Sequence, residues 1–543
     1  MSLAGTRLRL RRFAPLRGAH FSAGRLRRAS EKAEAVQGRT LAFALYALVF
    51  CTGAAALATE IGAARLLAPY YGSSTIVWAN VIGLVLASLS VGYWVGGRIA
   101  DRHPSPRVLG RIVVVAAVLI AIVPFAAGPF LDVSVKGLDQ VSAGAAIGSF
   151  FAVLALFAPA LTLLGMVAPF AVRLAIEDVR DAGSVAGRLY ALSTAGSLLG
   201  TFLAALVLIP SIGTRRTLLA AALLVALSGA ALLGRRWLLV AAGVGVLIAI
   251  PAGAVRAEPG LIYEHESRYQ FIHVTELDGV RRLYLNEGLA VHSLWRRNSV
   301  LTGGEWDTYL AVPPLIGRPL RRVAILGNAG GTTARAMGVF YPQARIDGVE
   351  LDPDVTAVGR RYFGLDDNPR LHVITADARP FLRSTKARYD LIIVDAYRPP
   401  YVPFYLATQE FFRLARARLA PGGAIVLNVG STPDDHRLAE GVSGTLATEF
   451  PLVLTWQALR FNQFVIGLDR PEPRSVLIRR LSHGPARLSS LTSLLARDMR
   501  VAAPSSDPWT DDRVPVEWIT DRMILEFAAR GGRFDEFPLP TAP

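Results

Sequence analysis

Arg322-Val323-Ala324-Ile325-Leu326-Gly327-Asn328-Ala329-Gly330-Gly331-Thr332 is the stretch that decides how the C-terminal half of this chain folds. A run of apolar residues too short for a helix reads as a buried parallel strand. The glycine turn behind it, followed by a helical stretch through Phe340, brings bare backbone and a helix N-terminus to one point. A ligand can come close there without meeting side chains. The next strand, Arg345–Glu350, ends in an acid 23 residues beyond Gly327. That is where a doubly wound sheet places the carboxylate that accepts from ribose hydroxyls. Leu351-Asp352-Pro353 then leads into a helix. Two further strands follow the same plan. Leu371–Ile374 runs into Asp377-Ala378-Arg379, and Tyr389–Val394 runs into Asp395-Ala396-Tyr397. Ligands of open α/β sheets bind outside the carboxyl ends of the strands, so Glu350, Asp377 and Asp395 are expected to converge on one crevice. Each acid alone could instead be a helix N-cap. Pro421-Gly422-Gly423 turns into another buried strand, Ala424–Val429.

Upstream of this sheet, residues 257–318 read as a small β-rich part. Phe271–Val274 and Arg282–Leu285 flank Asp278-Gly279, a hairpin signal, and Glu305–Ile316 reads as a helix carrying Trp306 and Tyr309. The main sheet occupies 319–525, and 526–543 reads as a tail.

The first half is of another kind. Hydrophobic residues make up 52% of the chain and charged residues 18%, and the apolar share is concentrated in 40–256. Seven segments there, near 41–63, 76–97, 108–131, 143–172, 186–210, 214–233 and 237–255, are long enough to span a bilayer. Small residues such as Gly196 and Gly200 suit close helix contact. The loops after the second, fourth and sixth segments carry nine arginines, from Arg98 to Arg236, against Arg65, Lys136, Arg215 and Arg216 after the others. The positive-inside rule then puts the N-terminus in the cytoplasm and, over seven spans, the C-terminal half outside. A cytosolic nucleoside ligand argues for the opposite side. Glu60, near the end of the first segment, is an ionisable group at membrane depth or an interfacial partner of Arg65. Gly96–Arg102 resembles a loop motif of major-facilitator transporters; it also reads as a turn whose Asp101 pairs with an arginine to hold two helix ends together.

Residues 1–39 hold ten Lys/Arg and two Glu, which reads as a disordered basic tail or a segment drawn to anionic lipid. Only Phe13 and Phe21 offer aromatic platforms there, so no nucleic-acid partner is expected. Cys51 is the single cysteine, which leaves no internal disulfide and no cysteine-based metal site; no metal is expected.

Taken together, Gly327–Thr332, Val349–Pro353, Asp377-Ala378-Arg379, Asp395 and Leu419–Gly423 resemble a class I methyltransferase fold, Rossmann-like in its layering. The small antiparallel sheet before it, the Tyr389–Asp395 strand and Thr510–Glu517 narrow the resemblance to the spermidine synthases, in the branch with a multi-span membrane domain fused ahead. The resemblance covers roughly 260–520. It implies transfer of the aminopropyl group of decarboxylated S-adenosylmethionine to an amine or polyamine. Asp395 would be the catalytic acid beside the attacking amine, and Glu350 would hold the ribose. Asp377 with Ala378 would hold the adenine, and Gly327, Asn328 and Gly331 would form the turn. Tyr397, Tyr309 and Glu287 are candidates for the acceptor, with His292 and Asp307 nearby. This chain has no acid within the glycine turn, and Arg398 follows Asp395 closely. Two other readings stand beside it: a methyltransferase using S-adenosylmethionine itself, and a membrane transporter or sensor whose C-terminal half binds a nucleoside or polyamine without turnover. A lipid bilayer is the expected surrounding, in the cell membrane, and a homodimer is left open.

Overall fold

A helical apolar core fills the first half of the chain, and three further cores fill the second. The computed structural model describes residues 19–71, 75–138, 144–176, 178–250, 258–286, 290–397 and 402–531. Nine helices are described in the first half: α1 (Ala19–Tyr71), α2 (Thr75–Arg102), α3 (Pro106–Leu138), α4 (Gly144–Leu156), α5 (Ala158–Gly165), α6 (Val167–Ala175), α7 (Ala182–Leu203), α8 (Ile209–Leu233) and α9 (Leu238–Ala249). Among the described residues, five stretches are long and apolar enough to cross a membrane: Thr40–Tyr71, Ile76–Arg102, Pro106–Leu131, Ala158–Ala175 and Val179–Leu233.

The differences from the seven expected segments have local causes. The fourth is broken at Phe157 and Met166, the first break just ahead of Pro159, which cannot donate within a continuous helix. The fifth and sixth join in one helical run whose Gly213 is non-helical (φ 80°). That glycine reverses the chain. A Cβ on Gly53 would meet Ser193 and one on Gly62 would meet Leu218, so nine residues of α1 match 25 residues across Gly213. An unbroken helix rising about 1.5 Å per residue could not make both contacts. The seventh is helical over Leu238–Ala249, and 251–257 lie outside the described residues. The basic tail also differs: α1 begins at Ala19, because an apolar span already forms the costly helix nucleus and Ala, Arg, Glu and Lys extend it cheaply. Residues 1–18 lie outside the described ones.

Gly196 and Gly200 pack where the spacing of small residues points. A Cβ on either would come within 2.1 Å of a carbonyl oxygen of α1, that of Phe50 or Ala54. Asp101 pairs with Arg173 at 3.5 Å, tying the ends of α2 and α6, so the turn reading of Gly96–Arg102 matches the geometry. Arg65 donates to the carbonyl of Arg268 rather than pairing with Glu60, for which no ion pair occurs among the described residues. Thr214, at the reversal, donates its N–H (3.1 Å) and hydroxyl (2.5 Å) to Glu266. The end of α1 and the start of α8 therefore meet the C-terminal half. Gly110 of α3 packs on Leu233 at the other end of α8, so the ends near Arg107, Arg111, Arg235 and Arg236 face away from it.

The C-terminal half opens with a four-stranded antiparallel sheet of β1 (Leu261–Glu266), β2 (Phe271–Leu277), β3 (Val280–Leu285) and β4 (Val291–Arg296), in that order. Asp278 and Gly279 both take positive φ (52° and 72°), as the expected hairpin turn requires. The Glu305–Ile316 stretch is helical only over α10 (Glu305–Thr308), then tightens into two short 3-10 turns as Pro313-Pro314 removes two donors.

The main elements follow: β5 (Arg322–Leu326), α11 (Thr332–Phe340), β6 (Arg345–Glu350), α12 (Pro353–Tyr362), β7 (Leu371–Thr375), α13 (Ala378–Ser384), β8 (Tyr389–Val394), α14 (Gln409–Ala417), β9 (Leu419–Gly430), α15 (Arg437–Leu446), β10 (Leu452–Leu459), β11 (Asn462–Leu468), α16 (Arg474–Ser482), α17 (Ser489–Asp498), β12 (Arg500–Val501) and α18 (Val516–Ala529). Helix α18 runs to Ala529, past the expected domain end at 525. The strand order is β12-β10-β11-β9-β8-β5-β6-β7. The run from β9 to β7 is parallel, while β11, β10 and β12 pair antiparallel. Connections leave β5 in both directions across the sheet, so the carboxyl ends of β5 and β8 form a crevice where the winding reverses. This is the Rossmann-like, methyltransferase-type layering that the strand-end motifs imply.

Candidate active site

The crevice at that reversal holds a cavity of about 240 Å³, walled by β4, α10, the β5–α11 turn, the ends of β8 and β9, and α18. Gly327 opens it. Its N–H donates to the carbonyl of Val349 (2.9 Å), and Asp395 N–H donates to that of Leu326 (2.8 Å), so the ends of β5, β6 and β8 are stitched together. Gly327 takes φ 89°, and a Cβ there would lie 2.5 Å from the backbone oxygen of Asp395. Both observations demand glycine. Gly327→Ala is therefore expected to destabilise the C-terminal half by about 1–3 kcal/mol, the usual cost of a strained backbone residue. An unchanged melting temperature of the full-length variant would count against this geometry.

Asp395, Tyr397, Asn328, Ala329, His292 and Glu305 all line the cavity. Burial raises the Asp395 carboxyl to about 6, although the nearby polar groups of Tyr309 and Asn428 hold it back. Tyr309 is fully buried near it; its hydroxyl makes no hydrogen bond among the described residues, and the charge of Asp395 acts on it. Tyr397 donates to the carbonyl of Asn428 at 2.8 Å. Burial raises Glu305 to about 8, and the neighbouring charge of Asp395 adds to the rise. Burial also pushes His292 down to about 4, leaving it neutral near pH 7. Trp306, Phe461, Met523 and Ile524 supply apolar walls. Two acids in one apolar-walled cavity suit a bound cation.

The other expected residues lie elsewhere on the same sheet edge. Glu350 is buried beneath the glycine turn. Its oxygens accept the N–H of Ala329 (2.9 Å) and of Asp352 (3.0 Å), and burial, partly offset by those donors, raises its carboxyl to about 7. Asp377 caps α13 by accepting Arg379 N–H (3.1 Å), and it also accepts the Tyr405 hydroxyl (3.1 Å). Ala378 packs into the core beneath it. Gly331 (φ 88°) caps α11, and Leu365 fills the space its Cβ would need. The expected convergence of three carboxylates on one crevice is thus met inside the cavity by Asp395 alone. The N–H groups at two helix starts draw the other two into local bonds.

Asp307 is likewise spent on structure, accepting from the backbone of Thr302 and Gly303 and from the Thr302 hydroxyl. Glu287 and Arg398 lie outside the described residues. Sequence reasoning passed over Glu305, and the pair Asn428 and Asn462, whose amides join across β9 and β11 at 3.0 Å.

Comparison with known proteins agrees with this fold. Residues 308–456 match the model of the spermine/spermidine synthase domain. A probable polyamine aminopropyl transferase of Bifidobacterium longum is 36% identical over 194 residues, covering 36% of this chain and 43% of that protein. Polyamine aminopropyltransferase 2 of Streptomyces coelicolor is 30% identical over 378 residues, covering 64% of this chain and 66% of its own length. The polyamine aminopropyltransferase of Corynebacterium efficiens is 34% identical over 293 residues, covering 48% and 55%. The chain thus spans about half the length of these relatives. The crystal structure of a probable spermidine synthase from Corynebacterium glutamicum superposes with a TM-score of 0.37 at 21% identity, over 53% of this chain and all of that one. Residues 308–456 match a spermine/spermidine synthase domain, and over that part the chain is similar to the polyamine aminopropyltransferases.

Proposed function

We propose that this protein is a membrane-bound aminopropyltransferase, moving the aminopropyl group of decarboxylated S-adenosylmethionine to an amine acceptor. One observation carries the reading: Asp395 and Glu305 share one cavity beside the glycine turn. Near pH 7 an acid at about 6 is mainly ionised and one at about 8 mainly protonated. The pair then holds about one negative charge, shared between two coupled groups. That charge matches a single ammonium or sulfonium centre.

The chemistry follows from the charges. An ammonium has no lone pair, so the acceptor must lose a proton before its nitrogen can attack. Asp395 accepts that proton, and the lone pair so freed forms the C–N bond. The C–S electron pair returns to sulfur, which leaves as a neutral thioether, so departure needs no acid and positioning carries most of the burden. Glu305 and the aromatic faces of Trp306 and Tyr397 would hold the remaining positive charge of donor or acceptor. Glu350 would accept the ribose hydroxyls on the lone pairs its backbone donors leave, and Asp377 would meet the adenine further along the edge. A cytosolic donor puts the C-terminal half on the cytoplasmic side, against the arginine bias of the far helix ends.

Calorimetric titration of the full-length protein in detergent tests the donor. Decarboxylated S-adenosylmethionine is expected to bind more tightly than S-adenosylmethionine, whose extra carboxylate would enter a chamber already holding negative charge. Equal affinities, or a preference for the carboxylated compound, would contradict the reading. Glu350→Ala is expected to weaken donor binding by about 1–3 kcal/mol, the cost of a lost charge-assisted hydrogen bond. An unaltered dissociation constant would remove Glu350 from the ribose site.

A further inference from the structure

A second cleft, of about 450 Å³, opens on the outer side of β4 and α11 and shares no lining residue with the active-site cavity. Four arginines line it, Arg296, Arg297, Arg335 and Arg487, against one acid, Asp367. Arg335 is 7% exposed, yet its Nε and Nη2 have no hydrogen-bond partner among the described residues, and neither has the buried Nε of Arg296. Trp295 lies under the Arg335 guanidinium, 5.9 Å from ring centre to Cζ, which supports the cation from one face only. Asp367 forms no ion pair with Arg335 among the described residues, although its charge acts on it. Asn368 is spent on the carbonyl of Ala334 (2.9 Å) and on Arg370 N–H (3.0 Å).

A guanidinium presents five N–H donors and no acceptor. Buried ones left unpaired are costly, and such groups in folded proteins are satisfied by an anion or ordered water. Four guanidiniums around one cleft favour an anion with several oxygens, because their fork geometry fits phosphate. We propose that this cleft is a binding site for a small phosphate-bearing molecule, separate from the transferase cavity.

The source is a dissolved molecule rather than a lipid headgroup. Arg296 pairs with Val280 at the far end of the small sheet from the Glu266–Thr214 junction with the membrane helices. Strands of six residues separate the two ends by about 20 Å.

The test is calorimetric titration of full-length protein in detergent with pyrophosphate. Saturable binding is expected, weakening as salt is raised. Arg487→Gln and Arg297→Gln, both on the rim, should each bind about tenfold more weakly, as the loss of one charge-assisted bond implies. Arg335→Gln should abolish binding, but it empties a buried position, so the rim variants decide. Decarboxylated S-adenosylmethionine should bind the rim variants as it binds the parent protein, which keeps this test independent of the transferase reading. No saturable pyrophosphate binding, or unchanged affinity in both rim variants, would overturn the proposal. So would binding of anionic vesicles that depends on Arg487, or a change of assembly mass on Arg487→Gln; these would mean that a lipid surface or a second copy fills the cleft.

Discussion

Asp395→Asn is expected to lower kcat by about two to four orders of magnitude, the usual contribution of a positioned general base. The donor dissociation constant should stay nearly unchanged. The substitution keeps the shape at the end of β8, and the Asp395 backbone N–H still bonds to Leu326. It removes the group that receives the amine proton, while Glu305, relieved of the neighbouring charge, ionises more readily and keeps a negative charge for the donor. Burial already raises the Asp395 carboxyl to about 6, close enough to neutrality for it to be ionised at rest and still take a proton in the transition state. Raising the pH, by deprotonating the free amine, should partly rescue the variant, as a merely structural role would not. Rapid-quench single turnovers with saturating donor separate the chemical step from binding. Parent-like turnover would remove Asp395 from the mechanism.

Glu305→Gln is expected to flatten the dependence of stability on pH between about 7 and 8. In the unfolded chain Glu305 titrates near 4.5, and in the folded protein near 8. Between those values the folded state binds the extra proton. Stability contributed by this group is therefore fully present below 4.5 and is lost as pH rises through 8, at about 1.4 kcal/mol per pH unit. Glu350 and Asp395, raised to about 7 and about 6, add the same sign at lower pH. Only Glu305 among the three still contributes above 7. The variant should therefore be more stable than the parent at pH 8 by roughly 2–4 kcal/mol and nearly equal to it near pH 4.5. Thermal melts of both full-length proteins across that range check this. Identical pH profiles would mean that Glu305 is ionised in the folded protein and that the shared-proton picture is wrong.

The parts of the fold that the sequence made legible are those where every physical cause points to the same residue type. Buried parallel strands must be short apolar runs, which is why Val323–Leu326 and Leu391–Val394 stand out. Gly327 was legible because turn strain and close backbone approach both require glycine. Gly196 and Gly200 were legible because only small residues let helices touch backbone to backbone.

The site was less so. Glu350, Asp352 and Asp377 stand at strand ends and helix starts alike, and a carboxylate there serves equally as cap or ligand. Only coordinates separate the uses, and local N–H groups hold all three. Glu305 looked like an ordinary acid in the first turn of a helix, favoured there by the dipole. Its character comes from burial in the cavity, to which the charge of Asp395, ninety positions away in sequence, adds. Asn428 and Asn462 are neighbours only because β11 runs antiparallel beside β9.

Mass analysis of the products formed by full-length protein supplied with decarboxylated S-adenosylmethionine and a panel of diamines separates aminopropyl transfer from methyl transfer. The account predicts one equivalent of 5′-methylthioadenosine for each aminopropylated amine, with both lost in Asp395→Asn. Transfer of a methyl group with release of S-adenosylhomocysteine when S-adenosylmethionine is supplied, and no turnover with the decarboxylated donor, would contradict it.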